Sequence, residues 1–130
     1  MIPKCIKQKQ LEDKVDKLST YSTEEQVIGT WIDGKILYRK TILYNGSMSN
    51  DLFIEHGIEN IYDVINVFGT LKLGNNTIKP YTIFYKDDFN KHNICLYDIS
   101  STAIEIIMSD FFKDTVKKII ITLEYTKTTD

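Results

Sequence analysis

Apolar residues change their spacing once along this chain, between residues 18 and 27. Before the change, KQKQLEDKVDKL (residues 7–18) sets Leu11, Val15 and Leu18 four and three positions apart among charged and polar neighbours. That is helical spacing. The stripe is narrow, like the seam of a coiled coil, and covers barely two heptads, too little to hold a helix by itself. It predicts a short N-terminal helix that either docks on its own domain or associates with copies of itself. The hydroxyl-rich residues 19–23 read as a linker or the lead into a first strand.

From Glu25 onward, short apolar stretches alternate with Gly, Asn and Asp, the punctuation of strands and turns. Asp33-Gly34 divides two strand-like arms, and this dipeptide favours a tight two-residue hairpin. Such a loop would pair Ile32 with Lys35, Trp31 with Ile36 and Gly29 with Tyr38. Trp31 and Tyr38 would then share a face, with Gly29 leaving room for a ring. Residues 45–50 read as a loop, and Leu52 to Ile54 as a short strand closed by His56-Gly57. Residues 60–72 form a long strand whose uneven apolar spacing predicts a bulge. A turn at 74–76 leads to a strand from Tyr81 to Tyr85, a polar turn from Lys86 to Asn90, and strands over 92–97 and 104–108. The last strand, Val116 to Thr126, sets Ile119, Ile121, Leu123 and Tyr125 on one face against Lys118, Ile120, Thr122 and Glu124 on the other.

Composition supports the same class. The 130 residues hold 20 Ile, 13 Thr and 5 Val against one Ala, Ala103, and β-branched side chains favour sheet over helix. The expected fold is all-β: an antiparallel β-sandwich, jelly-roll-like or barrel-like, with a short N-terminal α-helix. The expected organisation is a helical stem or oligomerisation segment over 1–20 and a β head over 21–130. The longest apolar runs, such as Ile119-Ile120-Ile121, fall far short of the ~18 residues of a membrane span. The N-terminus MIPKCIKQKQ lacks the core of a signal peptide, so a soluble protein is expected. A formal charge of -2, spread along the chain, offers no basic field for nucleic acid. Cys5 and Cys95 have no metal-ligand spacing and read as reduced thiols.

Catalytic patterns are absent from the sequence. His56 and His92 have no metal-site partners at suitable spacing and read as surface or half-buried polar residues. Glu24-Glu25 and Asp87-Asp88 are neighbours that would point to opposite faces of a strand, and they read as solvated turn charges. No G-x-S-x-G, P-loop or H-E-x-x-H occurs. No catalytic residue, cofactor or metal is therefore expected. The eight Tyr, six Phe and one Trp offer apolar area with polar tips. Tyr44, Tyr62, Tyr81, Tyr85 and Phe89 lie near expected loops and are candidate contacts for a sugar or protein. Core and subunit-interface packing is the competing use of the same rings.

The first hairpin, Tyr21-Ser22-Thr23-Glu24-Glu25 through Gly29, Trp31, Asp33-Gly34-Lys35, Tyr38 and Lys40-Thr41, resembles the "YSTxExxxGxWxDGKxxYxKT" block of phage and prophage tail-associated proteins. His56-Gly57-Ile58-Glu59-Asn60-Ile61 is similar to the "HGIxNI" stretch of the same group, and residues 121–130, ITLEYTKTTD, to its closing strand. The family pattern commonly has Pro where this chain has Ile36. The resemblance implies a non-enzymatic virion component, a tail-fibre or receptor-binding head used for tail assembly or host-surface attachment. Its expected location is the virion tail, after synthesis in the bacterial host cytoplasm. Tail tips of this kind are usually homotrimers, so Leu11, Val15 and Leu18 would form a trimerising stem. The implied partners are other tail proteins and a host cell-wall glycan, with no nucleic acid and no membrane insertion. Gly29, Trp31, Asp33, Gly34, Lys35 and Tyr38 are read as fold-determining. The alternative function is a carbohydrate-binding module acting outside any virion.

Overall fold

The computed structural model describes residues 20–74, 78–81, 84–87 and 92–130. Leu11, Val15 and Leu18, and with them the expected N-terminal helix, lie outside the described residues, as do Cys5 and Phe89. The described strands are β1 (Gln26–Thr30), β2 (Ile36–Tyr44), β3 (Asp51–Glu55), β4 (Ile61–Leu73), β5 (Ile78–Tyr81), β6 (Phe84–Asp87), β7 (His92–Ile99), β8 (Ala103–Met108) and β9 (Val116–Lys127). One short helix, α1 (Asp110–Thr115), precedes β9. The strands pair antiparallel in two sheets, ordered β1-β2-β9-β4-β5 and β3-β8-β7-β6. This is the expected all-β sandwich.

The core follows from the alternation in β9. Ile119, Ile121, Leu123 and Tyr125 are all completely buried, and they pack with Leu52 and Ile54 of β3 and Ile104, Ile106 and Met108 of β8. Each buried aliphatic side chain contributes roughly 1.5–3 kcal/mol. β9 can sit between β2 and β4 because β4 comes unusually close to it. A Cβ on Gly69 would lie 1.9 Å from the Ile120 carbonyl oxygen, so only glycine fits there. The bulge expected in the long strand is present, as register shifts between Ile61, Val64 and Asn66.

The first hairpin differs from its expected form. Trp31 N–H donates to the Lys35 carbonyl (2.8 Å), and Gly34 N–H to that of Trp31 (2.9 Å), which leaves a three-residue loop of Ile32, Asp33 and Gly34. A two-residue Asp-Gly turn needs positive φ at both residues. Among the described non-glycine residues only Asn60 has it, whereas Gly34 sits at φ +88°. The Asp33 carboxylate instead accepts from Lys35 N–H at 2.9 Å, fixing the longer turn. Registers move accordingly: Tyr38 faces Val27, and Gly29 faces Leu37 beyond a bulge. No ring lies on Gly29, where an added Cβ would meet nothing within 4 Å.

Two further expectations are corrected. The single strand expected from Tyr81 to Tyr85 is divided between sheets, β5 ending at Tyr81 in one and β6 starting at Phe84 in the other. Lys86 and Asp87, expected in a turn, belong to β6. Pro80 is compatible with β5 because β5 is an edge strand. The helix α1 occupies a stretch with no helical period to announce it. It is held by burial of Phe112 (2% exposed) and by Lys113 N–H donating to the Ser109 carbonyl at 2.9 Å.

The outer faces of the two sheets are finished differently. On the larger sheet, residues 20–22 cross the outer face: Ser22 O accepts from Thr41 N–H (2.9 Å), and the Tyr21 ring meets Phe68 edge-on at 6.1 Å. The Arg39 guanidinium stacks 4.1 Å from the Tyr21 ring. Beneath this cover the hydroxyls of Thr41 and Thr122 bond each other at 2.9 Å, both buried. On the smaller sheet, Phe53, Tyr97 and Ile107 remain exposed beside Asp51, Asp98 and Glu105.

Candidate functional site

Strand directions bring four separate segments to one end of the sandwich: the turn 31–35, the loop 56–60, the turn 100–102 and residues 127–130. Parts of the stretches 21–41, 56–61 and 121–130 all reach this end.

The hairpin and the closing strand are joined by side chains. Tyr125 donates its hydroxyl to Glu25 Oε2 (2.6 Å), and Lys127 Nζ pairs with Glu25 Oε1 (2.8 Å). Tyr38 donates to Asp130 Oδ2 (2.6 Å), and its ring stacks on Tyr125 at 5.8 Å with planes 17° apart. Lys35 Nζ donates to the carbonyls of Asp130 (2.7 Å) and Lys127 (3.2 Å), and lies 4.8 Å from the Tyr62 ring. The ammonium of Lys127 lies 4.9 Å from the Tyr38 ring. Hydrogen bonding to Asp130, then burial, pushes the Tyr38 phenol up to about 12. Burial, then the Glu25 hydrogen bond, raises Tyr125 further. Both phenols therefore keep their protons at neutral pH and act as donors, which makes this cluster a clasp between the first hairpin and the last strand.

The loop after β3 is locked by His56, which is 1% exposed. Its Nδ1 accepts from Ile58 N–H (3.0 Å), so the ring proton belongs on Nε2, which donates to the Ser100 carbonyl (2.9 Å). His56 N–H also donates to Thr102 O (3.2 Å), and Thr128 N–H to Asn60 O (2.8 Å). One ring thus fixes the β3–β4 loop against the β7–β8 turn. A groove of about 530 Å³ opens between them, lined chiefly by Glu55, Gly57, Glu59, Asn60, Ser101 and Thr102. Its lining can hydrogen-bond a polar ligand through carboxylates, hydroxyls and an amide.

The residues singled out from sequence are dispersed. Lys35, Tyr38 and Tyr62 meet in the clasp, while Asp33 and Gly34 shape the adjoining turn. Trp31 is half-buried at the head of that turn, and Gly29 sits at the bulge. Tyr44 is at the opposite end, donating its hydroxyl to the Ser47 carbonyl. Tyr81 belongs to edge strand β5 and Tyr85 to edge strand β6, on different sheets. Two sequence readings change: Glu25 is a clasp acceptor, its side chain only 33% exposed, and not a solvated turn charge; His56 is buried. Tyr125, Lys127, Asp130 and Asn60 also belong to this end and were not selected from sequence. Lys127 and Asp130 lie in the quoted closing stretch, which was the available signal. Among the described residues no group of three or more His, Cys, Asp or Glu is arranged to hold a metal ion, and no helix is long and apolar enough to cross a membrane. No protein-family model, curated protein or solved structure matches the chain.

Proposed function

We propose that the chain is a non-enzymatic structural protein of a phage or prophage tail, a tail-fibre or receptor-binding head used for assembly or host-surface attachment. The observation that supports it is the clasp. The three stretches similar to tail-associated proteins are distant in sequence yet bond one another at a single end, through Glu25, Lys35, Tyr38, Asn60, Tyr125 and Asp130. A motif spread over mutually supporting stretches is what a shared folded head would produce. In this reading the head works as a homotrimer on the stem carrying Leu11, Val15 and Leu18, with other tail proteins as partners. Immunogold labelling of phage particles with antibody to the chain should mark tails, and light scattering at micromolar protein should give the mass of three chains. Unlabelled particles and a monomer mass would count against it.

The second reading is a carbohydrate-binding module outside any virion, favoured by the polar groove between Glu55, Glu59, Asn60 and Thr102. A glycan array with the purified chain and its Asn60→Ala and Thr102→Ala variants tests it. Sugar binding lost in both variants, with no tail labelling, would replace the first reading by the second.

A further inference from the structure

β3 is an outermost strand of its sheet. Asn50 O accepts from Met108 N–H (2.9 Å) and His56 N–H donates to Thr102 O (3.2 Å), while Leu52 and Ile54 stand opposite Ile106 and Ile104. The even-numbered residues therefore turn their amides toward β8. Backbone groups alternate sides along a strand, so Asp51, Phe53 and Glu55 turn theirs to the open edge. Asp51 O is taken by Ser49 Oγ at 2.9 Å. The N–H and C=O of Phe53 and Glu55 have no hydrogen-bond partner among the described residues. Such an edge is a template for another strand.

The side chains beside that edge define what could occupy it. Phe53 is 60% exposed, and Tyr97 (65%) and Ile107 (39%) continue the apolar surface across the same face. Asp51 and Glu55 flank Phe53, Glu105 stands directly opposite it, and Asp98 is opposite Glu105. Like charges directly across a ladder repel, and neither Asp98 nor Glu105 has a basic partner among the described residues. A second copy of β3, paired antiparallel about Phe53, would set Asp51 against Glu55 and add to the repulsion. The edge thus rejects itself and favours an extended basic segment.

We infer that the β3 edge is a strand-addition site for another protein's extended segment bearing an apolar residue with Lys or Arg two positions to either side. The central apolar side chain would lie beside Phe53 and the two cations beside Asp51 and Glu55. The residues between them would cover the core rim at Leu52 and Ile54. This inference stands apart from the tail reading, since it needs only the edge and its charges.

The test uses the full chain and the peptide acetyl-Lys-Val-Ile-Val-Lys-amide, with acetyl-Glu-Val-Ile-Val-Glu-amide as the control. Amide exchange is followed residue by residue by NMR. The basic peptide should slow exchange at Phe53 and Glu55 by roughly tenfold or more, and the acidic one should not. The double variant Asp51→Lys/Glu55→Lys should reverse the preference. Phe53→Pro removes a donor that faces the edge and leaves the β8 ladder intact, which protected β8 amides would verify; it should lose peptide binding. Equal response to both peptides, or undiminished binding by Phe53→Pro, would overturn the inference. So would amides at Phe53 and Glu55 already protected in the chain alone, because the edge would then be occupied by the chain itself or a second copy.

Discussion

The outer face of the β1-β2-β9-β4-β5 sheet is the more closed of the two, although Leu43 on it is still 53% exposed, and that of the β3-β8-β7-β6 sheet is open; both belong to one sandwich. On the closed face the Tyr21 ring meets Phe68 edge-on and Arg39 stacks on Tyr21, and the polar groups beneath are paired, Thr41 with Thr122. On the open face, large apolar side chains stand exposed beside Asp51, Asp98 and Glu105. The difference teaches where stability resides and where it does not. A covered polar group must keep its partner, because its desolvation is not returned by water. An exposed Phe53 or Tyr97 can be lost at little cost to folding.

The sharpest way to break the closed sheet is Gly69→Ala, which would push a methyl group against the Ile120 carbonyl. Backbone overlap of this kind is expected to cost about 3 kcal/mol or more, read as a lower urea midpoint. By contrast Phe53→Ser, on the open face, should stay within about 0.5 kcal/mol of the parent. Next in size is Thr122→Val, which strands the Thr41 hydroxyl under cover and should cost about 1–3 kcal/mol. The double variant Thr41→Val/Thr122→Val should recover part of that loss, and a fully additive double-mutant cycle would show that the two hydroxyls do not depend on each other. Tyr21→Ala removes the ring over Phe68 and the stacking partner of Arg39, for about 1–2 kcal/mol.

The smallest effect concerns charge on the open face. A hydrogen bond shared with Asp51, then partial burial and the charges of Asp51 and Asp98, holds the Glu105 carboxyl above its ordinary value. The folded chain therefore binds this proton more tightly than the unfolded chain does. Its contribution is present below the ordinary glutamate value of 4.5 and is lost as pH rises through the raised folded value. Glu105→Gln should flatten that decline in urea titrations made at a series of pH values. An unchanged slope would show that the three carboxylates act independently.

Much of the closed sheet is legible from local pattern. Strict alternation marks Ile119, Ile121, Leu123 and Tyr125 as the buried face of β9, and irregular spacing marks the bulge in β4. The limit is reached where structure depends on distant partners. Nothing near residue 81 signals a change of sheet, since Tyr81, Thr82, Ile83, Phe84 and Tyr85 suit either one equally. The dipeptide Asp33-Gly34 marks a turn but not its length, which is decided by the Asp33 bond to Lys35 and by the register of β1 on β2. The clasp lies beyond any periodicity, for Glu25 and Tyr125 are 100 positions apart. His56 shows the same limit, because only its bonds to Ile58, Ser100 and Thr102 distinguish a buried lock from a surface imidazole.

The place of β9 bears on how the molecule is made. It follows the other described strands in the chain, yet it occupies the middle of its sheet, between β2 and β4. Until it emerges, those two strands face one another across a gap with their ladders half satisfied and their apolar sides uncovered. The larger sheet can therefore close only once β9 is available, by insertion of a strand between waiting edges, a slow, non-local step. In a crowded cell that interval is when the chain most needs protection from its neighbours.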